Sequence, residues 1–226
     1  MTAVHAIRYA WREGVRRDHF VDDDRPDDPH PTAYYVWLVR SPEGTVLIDT
    51  GMAPGADRVP GLHRGPAVVD SLRALGVPPD TVRTVVLTHL HYDHAGGVRD
   101  FPHARYVLQR SEVDDTGPSR LVDPADVEYL LGSNRLELVD GDAEIAPGVT
   151  VHHVGGHTPG MQVVRVRTER GHVVVASDAS HFHEHLRRRC LSPGTHSPAD
   201  ALRAFDRITE LADGPRLILP GHDPAG

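Results

Sequence analysis

The hydrophobic residues of this chain come in short runs, and most of the runs end on a polar residue with chemistry of its own. Tyr34-Tyr35-Val36-Trp37-Leu38-Val39 and Thr45-Val46-Leu47-Ile48-Asp49 read as strands, joined by Ser41-Pro42-Glu43-Gly44, a stretch with hairpin-turn chemistry. Further strands are expected over Val4 to Tyr9, Thr84 to Leu87, Ala104 to Leu108, Leu136 to Val139, Val149 to Val154, Gln162 to Arg167 and His172 to Ala176, with a last one running from Arg216 toward His222. Helical spacing appears at Val69, Leu72 and Leu75 within Pro66 to Gly76, where a glycine ends the pattern. Within 110–135, Asp123 is a candidate N-cap with Pro124 at the first helical position and Gly132 after the last turn; that helix suits a lid over a site or a plain connector. Ser197, Pro198 and Asp200 open a final helix whose apolar face is Ala201, Leu202, Phe205, Ile208 and Leu211. Loops are expected over the charged, proline-rich stretch Asp22 to Pro31 and the glycine-rich stretch Met52 to Gly65.

Composition narrows the function. The 226 residues suffice for a sizeable core, and one domain over 1–226 is expected. The net charge is -8 with no basic stripe, so no nucleic-acid partner is expected, and Arg187-Arg188-Arg189 reads as a solvated helix face before an anion site. A lone Cys190 supports neither a disulfide framework nor a thiolate cluster, so any metal must be held by nitrogen and oxygen. Met1 to His5 lacks the order of a signal peptide and no apolar run is long enough to span a bilayer, which leaves a cytoplasmic protein without a membrane partner as the expectation. The oligomeric state is not written in these features, and a homodimer is left open.

The densest chemistry is Thr88-His89-Leu90-His91-Tyr92-Asp93-His94, placed directly after the run Thr84 to Leu87, where a strand gives way to a loop. His89 and His91 fall on one side of an extended backbone, with Asp93 and His94 just past them. Imidazole and carboxylate are the ligands of zinc and its first-row neighbours, so the stretch reads as a metal-binding loop. Other runs end alike: Asp49, His157 in the bend Gly155-Gly156-His157-Thr158-Pro159-Gly160, Asp178 and His222. Asp49 is either a turn-former or an acid that orients a metal-bound histidine. Without it, five histidines and two carboxylates remain, which exceeds one tetrahedral site and suits two metals. Ala95-Gly96-Gly97 is expected to let the backbone pass close to them. His152, His153 and His172 read as structural, His183 and His185 as surface residues, and His181 as a residue near the substrate.

His89-Leu90-His91-Tyr92-Asp93-His94 resembles the His-x-His-x-Asp-His signature of the metallo-β-lactamase superfamily, and Ile48 to Gly51, Gly156 to Gly160, Ser177-Asp178 and Gly221-His222-Asp223 follow in family order. The resemblance implies an α/β fold, an αββα sandwich of two mixed β-sheets flanked by helices. It also implies one metal held by His89, His91 and His157, another by Asp93, His94 and His222, and Asp178 bridging. Two divalent ions are expected, zinc first, with iron, manganese or cobalt as alternatives. Within the superfamily, Tyr92 with Ala95-Gly96-Gly97, Asp178-Ala179-Ser180 and Gly221-His222-Asp223 are most similar to the N-acyl homoserine lactone lactonases. That branch implies a small-molecule lactone or ester as substrate, opened by a metal-bridging hydroxide, with Asp93 carrying a proton to the leaving alkoxide. An acyl pocket is expected from the N-terminal loop, the 110–135 segment and residues 181–190. Where these lactonases have a substrate-binding tyrosine three residues after the bridging aspartate, this chain has His181, an imidazole that can donate a hydrogen bond with a different reach and pKa. The alternative within the family is a thioesterase or other ester hydrolase resembling glyoxalase II. A binding module without activity would have a damaged ligand set, and this set is intact; a redox role would call for an attached flavin domain.

Overall fold

The computed structural model describes residues 1–225 except positions 57, 58, 116 and 118, so the expected loop at 52–65 and the segment at 110–135 are each described apart from those positions. In chain order the elements are β1 (Ala3–Arg12), β2 (Thr32–Ser41), β3 (Gly44–Ile48), β4 (Leu62–Arg64), α1 (Val68–Ala74), β5 (Thr84–Val86), α2 (Tyr92–Ala95), β6 (Arg105–Gln109), α3 (Arg110–Asp114), α4 (Pro124–Gly132), β7 (Leu136–Val139), β8 (Ala143–Ala146), β9 (Val149–His153), β10 (Gln162–Thr168), β11 (Gly171–Ser177), α5 (His183–Arg188), α6 (Pro198–Leu211) and β12 (Ile218–Pro220). They form a seven-stranded sheet, β4-β1-β2-β3-β5-β6-β7, and a five-stranded sheet, β12-β11-β10-β9-β8. Both are mixed: β3, β5, β6 and β7 run parallel while β1, β2 and β3 are antiparallel, and β12 joins β11 in parallel beside an antiparallel meander.

Alternation along β2 explains the layering. Ala33, Tyr35, Trp37 and Val39 pack with Val149, Val151, Val164 and Val175 of the other sheet, whereas Tyr34, Val36 and Leu38 point to the opposite face, where Leu72 of α1 and Leu130 of α4 cover them. A strand buried on both faces has to be apolar throughout, which is why β2 reads as an uninterrupted run. Ile208 and Leu211 of α6 close the outer face of the second sheet against Val163 and Val174. The result is the expected αββα sandwich. The helix signals hold locally: the Asp123 side chain accepts from Ala125 N at 3.0 Å, and Ser197 caps α6. Five elements were not expected: the edge strand β4, the one-turn helices α2 and α3, the short strand β8 and the helix α5. No helix among the described residues is long and apolar enough to cross a membrane.

Candidate metal centre

The parallel strands β3 and β5, together with β11 and β12, end at the same edge of the sandwich, and the loops leaving them converge. Gln162 at the start of β10 ties the sheets there, its N–H donating to Thr88 O at 3.1 Å and its side-chain amide to Leu87 O at 2.7 Å. Past this point the backbone turns sharply. Asp49 and Ser177, each just at a strand end, have positive φ of 62° and 45°, a conformation non-glycine residues adopt only when their surroundings impose it. Gly221 is required for a different reason, since a Cβ there would collide with Asp178 Oδ1.

All seven residues expected as ligands meet at this edge. Potential ligand atoms of His89, His91, His157 and Asp178 lie within 4.8 Å of one another, as do those of Asp93, His94 and His222. Asp178 stands between the groups: its Oδ1 is 3.3 Å from His94 Nε2 and 3.2 Å from His222 Nε2, and its Oδ2 is 3.5 Å from His157 Nε2 and 4.0 Å from His89 Nε2. His157 Nε2 faces His91 Nδ1 at 3.1 Å. Burial holds His89 and His157 well below the usual histidine range, and lowers His91 to about 4 against the pull of Asp93 and Asp178, so these three are neutral and carry lone pairs. Burial opposes charge on His94 and His222 too, but nearby carboxylates, Asp178 foremost, outweigh it and raise both. Asp178 is itself driven well below the carboxylate range, because His222, His94 and His181 overcome its burial. Neutral imidazoles on one side and carboxylates seeking a cation on the other suit divalent metal ions. The orphaned atoms agree: His89 Nε2, His94 Nε2, Asp178 Oδ1 and His181 Nε2 are buried with no hydrogen-bond partner.

The opposite ring nitrogens are anchored. Asp49 Oδ2 lies 2.8 Å from His94 Nδ1 while Oδ1 accepts from Thr88 N at 2.7 Å, and Ala33 O lies 2.8 Å from His222 Nδ1. Asp49 is therefore the orienting acid, one of the two roles its position allowed. Thr88 Oγ1 also bonds Asp49 and faces Ser177 Oγ at 3.0 Å. Glu112, fully buried in α3, accepts from Leu90 N, Thr158 Oγ1 and Gly160 N, and so fastens the His157 bend to the metal loop; burial raises its pKa despite these donors. The Tyr9 hydroxyl donates to Asp93 O at 2.6 Å. Reading the sequence missed Thr88, Ser177, Glu112 and Tyr9, and only the strand-end place of Thr88 and Ser177 carried any signal for them.

Several expectations are corrected. A Cβ on Gly96 or Gly97 would collide with the backbone of Tyr92 or Thr50, so these glycines also serve the close packing of two loops. His185 is buried, its Nδ1 accepting from Phe182 N and its Nε2 donating to His19 O at 2.9 Å, rather than a surface residue. His152 lies on Asp142 and His172 on Asp213, in the structural roles expected of them. Arg188 and Arg189 are occupied by Asp23, Glu184 and Asp206. An apolar cavity of about 420 Å³ is lined by Leu90 and, from the expected 110–135 segment, by Glu112, Val113, Gly117, Ser119, Val122, Pro124 and Val127, while the N-terminal loop and residues 181–190 contribute nothing to its lining. Its wall reaches the metal loop through the bridge between Val122 and His91 and through Tyr92 N, which donates to Leu121 O at 2.7 Å.

Comparison with known proteins matches the same region. An N-acyl homoserine lactonase from a Bacillus species is 31% identical over 84% of this chain and 80% of its own length. A solved quorum-quenching N-acyl homoserine lactone lactonase superposes with a TM-score of 0.84 at 26% identity, covering 98% of this chain and 92% of the other. AidC, a dizinc quorum-quenching lactonase, shares the fold with a TM-score of 0.79 at 21% identity over 99% of this chain and 88% of its own. The metallo-β-lactamase superfamily model matches residues 31–222, and the chain belongs to that superfamily.

Proposed function

We propose that this chain is a metal-dependent hydrolase that opens a lactone ring, that of an N-acyl homoserine lactone or a related lactone, at a centre for two divalent metal ions. The observation that carries the reading is the position of Asp178 between two converging donor groups, in a chain 31% identical to a lactonase. His89, His91 and His157 would hold one ion, and Asp93, His94 and His222 the other, with Asp178 shared. When bound, such a pair makes hydroxide available near neutral pH and polarises the carbonyl it attacks. The chain's own residues orient and relay. Asp49 and Ala33 O fix two rings, and Asp93, with Oδ2 3.7 Å from His94 Nε2 and 3.9 Å from His222 Nε2, keeps a second oxygen free to carry a proton to the departing alkoxide. The apolar cavity beside Leu90 and Val122 suits an acyl chain. Zinc is the expected metal; iron, manganese and cobalt would accept the same donors. The reading takes 1–226 as one domain, supported by the family match and by the core shared between the sheets.

The test is turnover of an N-acyl homoserine lactone, a simple γ-lactone and a glutathione thioester side by side, with metal content measured on the same sample. Ring opening of the lactones with close to two metals per chain is expected. Turnover of the thioester alone would replace the lactonase reading with the thioesterase one.

A further inference from the structure

His181 is the one imidazole at the centre that the two donor groups leave out, yet its surroundings are those of a ligand. Its ring stands edge-on between His157 and His222, with centroids 5.1 and 5.2 Å away. Nδ1 is 3.0 Å from Ser192 Oγ, while Nε2 is buried, unpartnered and 3.3 Å from Asp178 Oδ2. His94 shows the same pair of features, one nitrogen anchored on Asp49 and the other unpartnered, 3.3 Å from the second oxygen, Asp178 Oδ1; His222 Nε2 links the two, 3.2 Å from Oδ1 and 3.3 Å from the Oδ2 that His181 faces. Donor atoms of Asp178, His181 and His222 lie within 4.8 Å of one another. A ring meant to donate to a substrate carbonyl would aim Nε2 at open space; this one aims it at the carboxylate between the donor groups.

We propose that His181 Nε2 is a further protein ligand, to the metal held by His222 and Asp178, with Ser192 as its positioning residue. The proposal rests on the two-metal reading. Nδ1–H donates to Ser192 Oγ, which leaves the Nε2 lone pair facing the ion. The neighbouring His185 is compatible: its Nδ1 accepts from Phe182 N, so its Nε2–H points at His19 O and, at 3.3 Å, at a second lone pair of Ser192 Oγ. The two metals then differ in kind. His89, His91, His157 and Asp178 would offer one ion four protein donors, whereas Asp93, His94, His222, Asp178 and His181 would offer the other five, and the higher coordination number would suit manganese, iron or cobalt better than zinc.

Cobalt(II) titration of metal-free protein tests this, read by visible absorption and by competition with a chelator. Wild type should take two equivalents, one with the weak bands of five- or six-coordination. In His181→Phe that equivalent should bind more weakly by at least the roughly 10- to 100-fold that loss of an orienting partner costs, with stronger bands as its coordination number falls. Ser192→Ala should move both readouts the same way by less, and it decides the matter if His181→Phe does not fold. Two equivalents with unchanged affinity and spectrum in the folded variants, together with lost lactone turnover, would overturn the proposal and leave His181 acting on substrate. Failure of the wild type to take up two equivalents would overturn the two-metal reading and this proposal with it. Two cobalt ions with the expected variant spectra but no lactone turnover would support the ligand and count against the lactone alone.

Discussion

On the core side of the centre, Asp49, Thr88 and Ser177 are almost fully buried and joined by hydrogen bonds at the ends of β3, β5 and β11. On the solvent side, Arg16 grips Asp23 and Glu184, and Arg188 reaches both, so that ion pairs fasten the 13–31 segment to α5. The core side is part of the sheets: its residues cannot shift without breaking strand ends that already carry strained φ angles. The solvent side is an addition to the sandwich. Phe20 stacks on His185 and lies under the Arg16 guanidinium, and Val21 N donates to Leu191 O, so this strap backs the His181–Ser192 pair without touching Asp49 or His94. Orientation of the histidines and closure over them therefore depend on separate sets of residues, and substitutions should separate them.

The largest effect is expected at Asp178, which both donor groups share. Asp178→Asn should bring metal content below two per chain and cut lactone turnover by about a thousand-fold or more, roughly 4 kcal/mol of barrier. Full metal content with near-normal turnover would remove the reason for pairing the groups at all. Next comes the core side itself. Asp49→Ala leaves His94 Nδ1, Thr88 Oγ1 and Thr88 N without their acceptor, and should weaken metal binding or turnover by about 10- to 100-fold, as loss of an orienting partner does. Metal affinity measured against a chelator checks it, and an unchanged value would mean that the strand ends alone aim His94. Glu112→Gln should act on stability and leave the metal ligands in place. It turns an acceptor of three donors into a group with one acceptor oxygen, leaving buried polar atoms facing each other at a cost of about 1–3 kcal/mol, measurable as a lower urea midpoint at unchanged slope.

How far the sequence reveals this division follows from the physics of each side. His89, His91, Asp93 and His94 are legible because four donors within six positions at a strand end have no common structural use, and Asp49, His157, Asp178 and His222 because they too end apolar runs. The layers are legible from β2, whose unbroken hydrophobicity demands cover on both faces. Thr88, Ser177 and Glu112 are not, since an acceptor or hydroxyl gains its role only when distant segments meet around it. α5 escaped because His-Glu-His-Leu-Arg-Arg has no apolar stripe; it is held by the ion pairs of Glu184 and Arg188 and by the one buried face of His185. β4 and β8, of three and four residues, are too short to carry an alternation. The strap itself looked like surface because it is rich in charge, and its burial depends on pairing Arg16 with acids that lie 7 and 168 positions away.

The smallest expected effect sharpens the comparison most, because it must leave the metals alone. Arg16→Met removes the shared cation, and with it the guanidinium over the Phe20 ring, and keeps only the apolar stem. Arg16, with help from Arg188, lowers Glu184 from its ordinary 4.5 to about 2 and holds Asp23 well below the carboxylate range. A carboxylate whose pKa is depressed in the folded state adds stability above its unfolded pKa and loses it as pH falls through the folded one. Wild type should thus exceed Arg16→Met in thermal midpoint by a few degrees at neutral pH, and the gap should narrow as pH drops from 4.5 toward 2, the interval set by Glu184. Salt should narrow it as well, because these pairs reach solvent on the Arg188 side. Cobalt affinity at the two sites should stay within about twofold of wild type, a difference of under roughly 0.5 kcal/mol. A thermal gap that persists unchanged in acid would mean that Arg16 acts by packing on Phe20 rather than by charge. Loss of metal affinity in the same variant would join strap and core side into one unit, and the division between them would fail.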